Sequence, residues 1–406
     1  MKRALIIVAS IIFLAGIGFG VYMIFGPKEP SLSTSDGVSF DEADDVPLPS
    51  DPTEGATGPV PAGEEVAPRL IRITESPVAL GMAIYDLPSQ VVPAETASGT
   101  PETLPGDVEI RYIDRASGNI YAYRFYDRTL ERIANRTLPG IQEASWLSDG
   151  SLAYARFLSG SDGEDRVETY ALPAAGEGGY FLERGLSQAS VIGTTTLFTL
   201  MPSTSGSVGT VSNADGTNSR TLFSSPLASL TVHLSDGPYM AHTKASASLD
   251  GYAFTVGANG AFTRILGPLR GLSILPSPSG SLVLYTHMDG RTLRMSVLDR
   301  ATGDSTALPI ATLAEKCTWS SDSRAIFCGI PRGITGSLPD EWYQGVVAFS
   351  DRLWRIDMDG RVATLLIDPT SSGEATIDMT GLKTDGRNDV LTFRNRLDGS
   401  LWAYDL

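Results

Sequence analysis

Cysteine and histidine are scarce in this chain of 406 residues, with two Cys and three His. That excludes a multi-zinc or iron–sulfur protein and a disulfide-dense scaffold. No cofactor motif and no metal-ligand cluster is legible, so neither a cofactor nor a metal is expected. Charge is also low, 19% of residues against roughly 25% in soluble domains. Acidic residues outnumber basic ones 47 to 31, for a net charge of −16. Such a chain opposes a phosphate backbone, and no nucleic acid partner is expected. Long Ala/Glu/Lys/Leu stretches are missing, which excludes a coiled coil. A G-x-S-x-G nucleophile elbow is absent too. What is abundant is Gly, 42 residues, among Ser, Thr and scattered aromatics, the composition of many short strands and turns.

The chain is not uniform along its length. Residues 4–26 form 23 uncharged, mostly apolar positions behind Lys2 and Arg3. As a helix they would span about 34 Å, enough for a bilayer core of about 30 Å. The run is longer than the 7–15 residues of a cleavable signal core. Val21 to Phe25 stand where a small-residue cleavage site would be needed. Residues 1–26 therefore read as a cytoplasmic tip and an uncleaved transmembrane signal anchor, with Lys2 and Arg3 holding the N-terminus inside. Residues 27–68 carry ten Asp or Glu, one Lys and eight Pro. With so little to bury they are expected to be a disordered acidic linker.

Internal repeats organise the rest. An apolar strand, a Ser-Asp-Gly-like turn and a second apolar strand recur in SWLSDGSLAY (145–154), VHLSDGPYMA (232–241), LPSPSGSLVLY (275–285), TWSSDSRAIF (318–327) and LKTDGRNDVLTF (382–393). SVIGTTTLFTL is a weaker copy. The turn positions Gly150, Gly193, Gly237, Gly280 and Ser323 lie 43 or 44 residues apart, and Gly386 follows after 63. The longer last step marks an insertion. Each unit continues into a second strand pair, as in DRLWRIDMDGRVATLLI (351–367). Four short strands every 43 residues is the signature of a propeller blade.

Inner strands are expected near 78–85, 141–147, 189–192, 230–234, 272–276, 316–320 and 377–384. The fold class is therefore all-β, a seven-bladed propeller over residues 69–406. GSLWAYDL (399–406) supplies only the third strand of blade seven, and residues 70–74 are expected to add the fourth and close the ring. The repeat W-x-S-D-G-x-x-x-x-Y, at Trp146–Tyr154 and in Trp319–Phe327, with LWRIDMDG and LWAYDL, resembles the TolB-like, WD-repeat-like propeller repeat. That resemblance implies the fold and says little about function. Blades three and four depart from it, and His233 stands in the Trp position. No hydrolase domain like that of the prolyl oligopeptidases accompanies the repeats, so their peptidase activity is not carried over.

Three groups of residues invite a chemical reading. If Ser321–Arg324 is a four-residue turn, Cys317 faces Cys328 at a separation a disulfide accepts; two buried thiols are the alternative. His233 and His242 would share a face without a third metal ligand, which favours a packing role. Residues 329–350 interrupt blade six between its second and third strands, on the face where propellers do most of their binding. Arg332, Asp340, Glu341, Trp342 and Tyr343 lie there, of types enriched at hot spots. Trp342 and Tyr343 either plug the channel or meet a partner. The insertion 86–106 is polar and Pro-rich, is expected to be mobile, and belongs to the opposite face. The expected function is a membrane-anchored, extracytoplasmic, non-catalytic scaffold for a protein, peptide or envelope component. A glycan-active hydrolase or lyase with carboxylates at the channel mouth is the competing expectation.

Overall fold

The computed structural model describes residues 69–406 except 93–101, 136, 161–165, 372, 374 and 375. The expected anchor and linker, 1–26 and 27–68, lie outside the described residues. Among the described residues no helix is long and apolar enough to cross a membrane.

Seven four-stranded antiparallel sheets follow one another, each ordered from the inner to the outer strand. Their inner strands are Ala83–Leu87, Ile141–Trp146, Gln188–Ile192, Leu230–His233, Ser273–Pro276, Cys317–Trp319 and Met379–Thr384. Successive side chains point to opposite faces of a strand, and in the middle strands both faces are apolar because both sides of a blade meet a neighbour. The core therefore lies in the seams. One seam joins Ile113 and Ile120 of blade 1 to Trp146 and Ala153 of blade 2. Another joins Leu284 and Val297 of blade 5 to Trp319 and Ile326 of blade 6. Trp319 also donates its indole N–H to the Leu275 carbonyl across that seam, at 2.9 Å.

Blade 7 takes its outer strand from the other end of the described chain. Leu70–Arg72 pairs antiparallel with Leu401–Asp405, Leu70 opposite Tyr404 and Arg72 opposite Trp402. The Leu401 N–H is held by Thr74 Oγ1 at 2.9 Å. The ring thus has no open seam between its first and last blades.

One departure from the sequence reading and two further local features have identifiable causes. In blade 1 the inner strand begins at Ala83, five residues later than expected. Gly81 takes φ +95°, and a Cβ there would lie 2.1 Å from the Ala144 carbonyl oxygen. Leu80 instead exchanges backbone hydrogen bonds with blade 2, accepting from Ala144 at 2.7 Å and donating to Gln142 at 2.9 Å. Within 86–106, Gln90–Val92 pairs with Glu102–Leu104 as a short hairpin; Val and Thr favour strand even in a polar loop.

The other feature is in blade 4. Trp146 and Trp319 face the preceding blade. In blade 4 it is Leu230, Val232 and Ala241 that face blade 3. Met240 turns towards Leu272 and Ile274 of blade 5, and its cross-strand partner His233 turns with it. The turn positions Gly150, Gly193, Gly280 and Ser323 all have φ near +60°. Gly237 precedes Pro238, which pushes the residue before it towards extended backbone, and it has no left-handed φ. A one-residue change of facing exchanges the two sides of a strand.

Candidate binding face

The blade 6 insertion leaves Ala325–Pro331 and re-enters at Asp351–Asp357. The Arg332 N–H donates to the Ser350 carbonyl at 2.9 Å and closes its base. Its single helical turn, Asp340–Tyr343, follows Pro339, a residue with φ already near helical values. The segment reaches well beyond its own blade. Asp340 accepts the Ala247 N–H of blade 4 at 2.5 Å. Leu338, Trp342 and Phe349 join Leu293 of blade 5 and Leu313 in one apolar cluster. Arg396 of blade 7 donates to the Trp342 carbonyl at 2.5 Å, with its guanidinium 4.8 Å from the Trp342 ring.

A fully buried charge cluster lies beneath. Lys316 Nζ is 2.6 Å from Asp351 and also contacts Asp378; it donates to the Met379 carbonyl at 3.0 Å. All three side chains are inaccessible to solvent. Trp342 Nε1 donates to Asp378 at 3.1 Å, and the Lys316 ammonium lies 5.3 Å from the rings of both Trp342 and Phe349. Burial pushes the Asp351 carboxyl up to about 6, against the pull of Lys316. The cluster contains two acids and one base, so an unpaired proton affinity is built into it.

The five sequence candidates separate into distinct roles. Trp342 is 4% exposed and holds the insertion down. Asp340 is spent on Ala247, and Arg332 on Asp368 and Thr370. Tyr343 lies at the rim and donates to Glu315; burial and then the Glu315 carboxylate push its phenol well above the ordinary value. Glu341 lines a groove of about 580 Å³ with Arg291, Ile334 and Ser337. Ile334 and Val346 are exposed apolar groups of the insertion, Val346 by 70%. Sequence reasoning passed over Lys316, Asp351 and Asp378, whose only signal was charge beside apolar strand ends.

Cys317 and Cys328 stand opposite each other in the register and are joined as a disulfide, Cα–Cα 4.1 Å. In blade 4, His233 Nε2 and His242 Nδ1 are 3.2 Å apart and the rings stack at 5.2 Å. Burial holds His233 down to about 4 and His242 well below its ordinary value, so both are neutral at pH 7. Among the described residues no group of three or more His, Cys, Asp or Glu could hold a metal ion. The two rings line a cavity of about 760 Å³ bounded by blades 3, 4 and 5, Glu315 and Tyr343.

No family model matches the sequence, and no curated protein matches it. Solved structures do resemble the fold. An oligogalacturonate lyase from Vibrio parahaemolyticus is similar over 83% of this chain and 93% of its own, with 10% identity and a TM-score of 0.51. An oligogalacturonate lyase in complex with manganese is similar over 80% and 98%, at 10% identity and 0.49. TolB from Acinetobacter baumannii is similar over 70% and 78%, at 11% identity and 0.42. At these identities the likeness is one of fold: this chain is a seven-bladed β-propeller.

Proposed function

We propose that the chain is a membrane-tethered, extracytoplasmic scaffold that binds a protein or peptide of the cell envelope, without catalysis, through the face covered by residues 332–350. One observation carries this reading. The insertion is fixed across blades 4 to 7 by Asp340, Trp342 and Arg396, yet it leaves Ile334 and Val346 exposed. A loop held rigidly by a scaffold, with apolar groups left exposed, suits protein contact. The tether rests on the apolar run 4–26 and the acidic run 27–68. A catalytic reading needs free, convergent carboxylates. Asp351 and Asp378 lie buried against Lys316, Glu315 and Asp340 already accept hydrogen bonds, and Glu341 lines a separate groove with Arg291.

The test is chemical crosslinking of the full chain in its own membranes. Ile334→Asp combined with Val346→Asp should abolish the crosslinked species and leave the melting temperature within about 2 °C, as expected for exposed positions. Unchanged crosslinks from a folded double variant would remove this face from the account.

A further inference from the structure

The cavity beside the insertion is not used by the reading above. Blade 4 is turned here: side chains that would meet blade 3 in the common repeat face blade 5, and His233 and His242 among them line the cavity. His242 and Lys244 are alternate residues along one strand line and share its face. Thr231 stands directly opposite His242, and His233 opposite Met240. Leu230, Ile274, Leu275 and Ala314 supply aliphatic wall. The volume of about 760 Å³ falls within the range of small-molecule sites.

We propose that this cavity binds a small organic acid bearing a hydroxyl next to its carboxylate. Each imidazole spends one ring nitrogen on the other. The pair therefore presents one outer donor and one outer acceptor, whichever tautomer holds. The outer nitrogens lie at opposite ends of the pair, so a hydroxyl meets one of them, and being both donor and acceptor it fits either tautomer. The rings stay neutral at pH 7, so they recognise a polar group rather than a charge. Two charged groups line the cavity, Lys244 and Glu315. Glu315 accepts hydrogen bonds on both oxygens, from Ser273 and Tyr343. Lys244 has no carboxylate partner among the described residues and stands at the rim, where it can meet an entering anion.

Saturation-transfer NMR on the full chain in micelles tests this with mandelate and lactate, against mandelamide and lactamide as uncharged counterparts. At about 10 mM even a millimolar site is mostly filled. The acids should bind at least tenfold more tightly than the amides. Lys244→Met should erase that preference, and Lys244→Arg should retain it. His242→Phe should weaken acid and amide together by about tenfold, with the melting temperature checking that the variant is folded. Absence of binding by both acids, or an acid-to-amide ratio unchanged in Lys244→Met, overturns the proposal. The readout needs no protein partner, so it stands or falls separately from the scaffold reading.

Discussion

Replacing Lys316 by Met should expose how the insertion is held. The side chain is fully buried between Asp351 and Asp378. Methionine keeps most of its volume, so packing against Trp342 and Phe349 is largely preserved. What changes is charge: two buried carboxylates lose their only counter-ion within the cluster. Breaking a buried pair by removing one partner costs about 3–5 kcal/mol. In a domain of this size that is a fall of upwards of about 5 °C in melting temperature. Asp351→Asn should cost much less, because it leaves Lys316 paired one-to-one with Asp378.

The pH dependence gives a second, independent reading. Asp351 has its folded pKa raised to about 6, above its unfolded value. Between those values the folded state holds a proton that the unfolded state has released, so stability should rise as pH falls from 7 through 6. Asp351→Asn should lose that rise. The deficit of Lys316→Met should shrink at pH 5, where protonation relieves the acid pair. Thermal unfolding at pH 7 and pH 5 with all three proteins tests this. A loss under about 1 kcal/mol in Lys316→Met, or identical pH slopes in wild type and Asp351→Asn, would refute the reasoning.

Three further outcomes follow from the fold. Deleting residues 69–74 removes the strand that pairs with Leu401–Asp405, and should lower the melting temperature of the whole domain in one transition; a small early transition followed by a parental one would contradict closure. Cys317→Ala with Cys328→Ser opens a loop with a sequence separation of 11, and chemical denaturation should show a loss of about 2–3 kcal/mol; no loss would mean that the bond constrains nothing. Gly81→Ala meets both a positive φ and a 2.1 Å contact with the Ala144 carbonyl, and should cost upwards of about 2 kcal/mol, measured the same way; a neutral result would mean that the backbone there is free to move.

Much of the ring was legible because a blade is a local object. The 43-residue spacing of Gly150, Gly193, Gly237, Gly280 and Ser323 reports turns that recur at the same place in each sheet. The face of blade 4 was not read, although Pro238 after Gly237 carried the signal; identical Ser-Asp-Gly letters hid a different backbone. The candidate site was legible only as a segment. Trp342 could plug or contact until Asp378, 36 residues further on, was found to hold its indole. Lys316, Asp351 and Asp378 come together across blades 6 and 7, and no short-range pattern announces a contact made by ring geometry. The His pair was expected on one face and lies there; the cavity it borders lies beside the turned blade and could not be anticipated.

The central claim is that the insertion face is the face that meets a partner. A photo-crosslinking residue placed at Val346, exposed on the insertion, and separately at Ser279, in the opposite-face turn of blade 5, puts that to the test in intact membranes. The account expects a discrete adduct from position 346 that disappears with Ile334→Asp, and none from position 279. Adducts from 279 alone, or equal adducts from both positions, would contradict it.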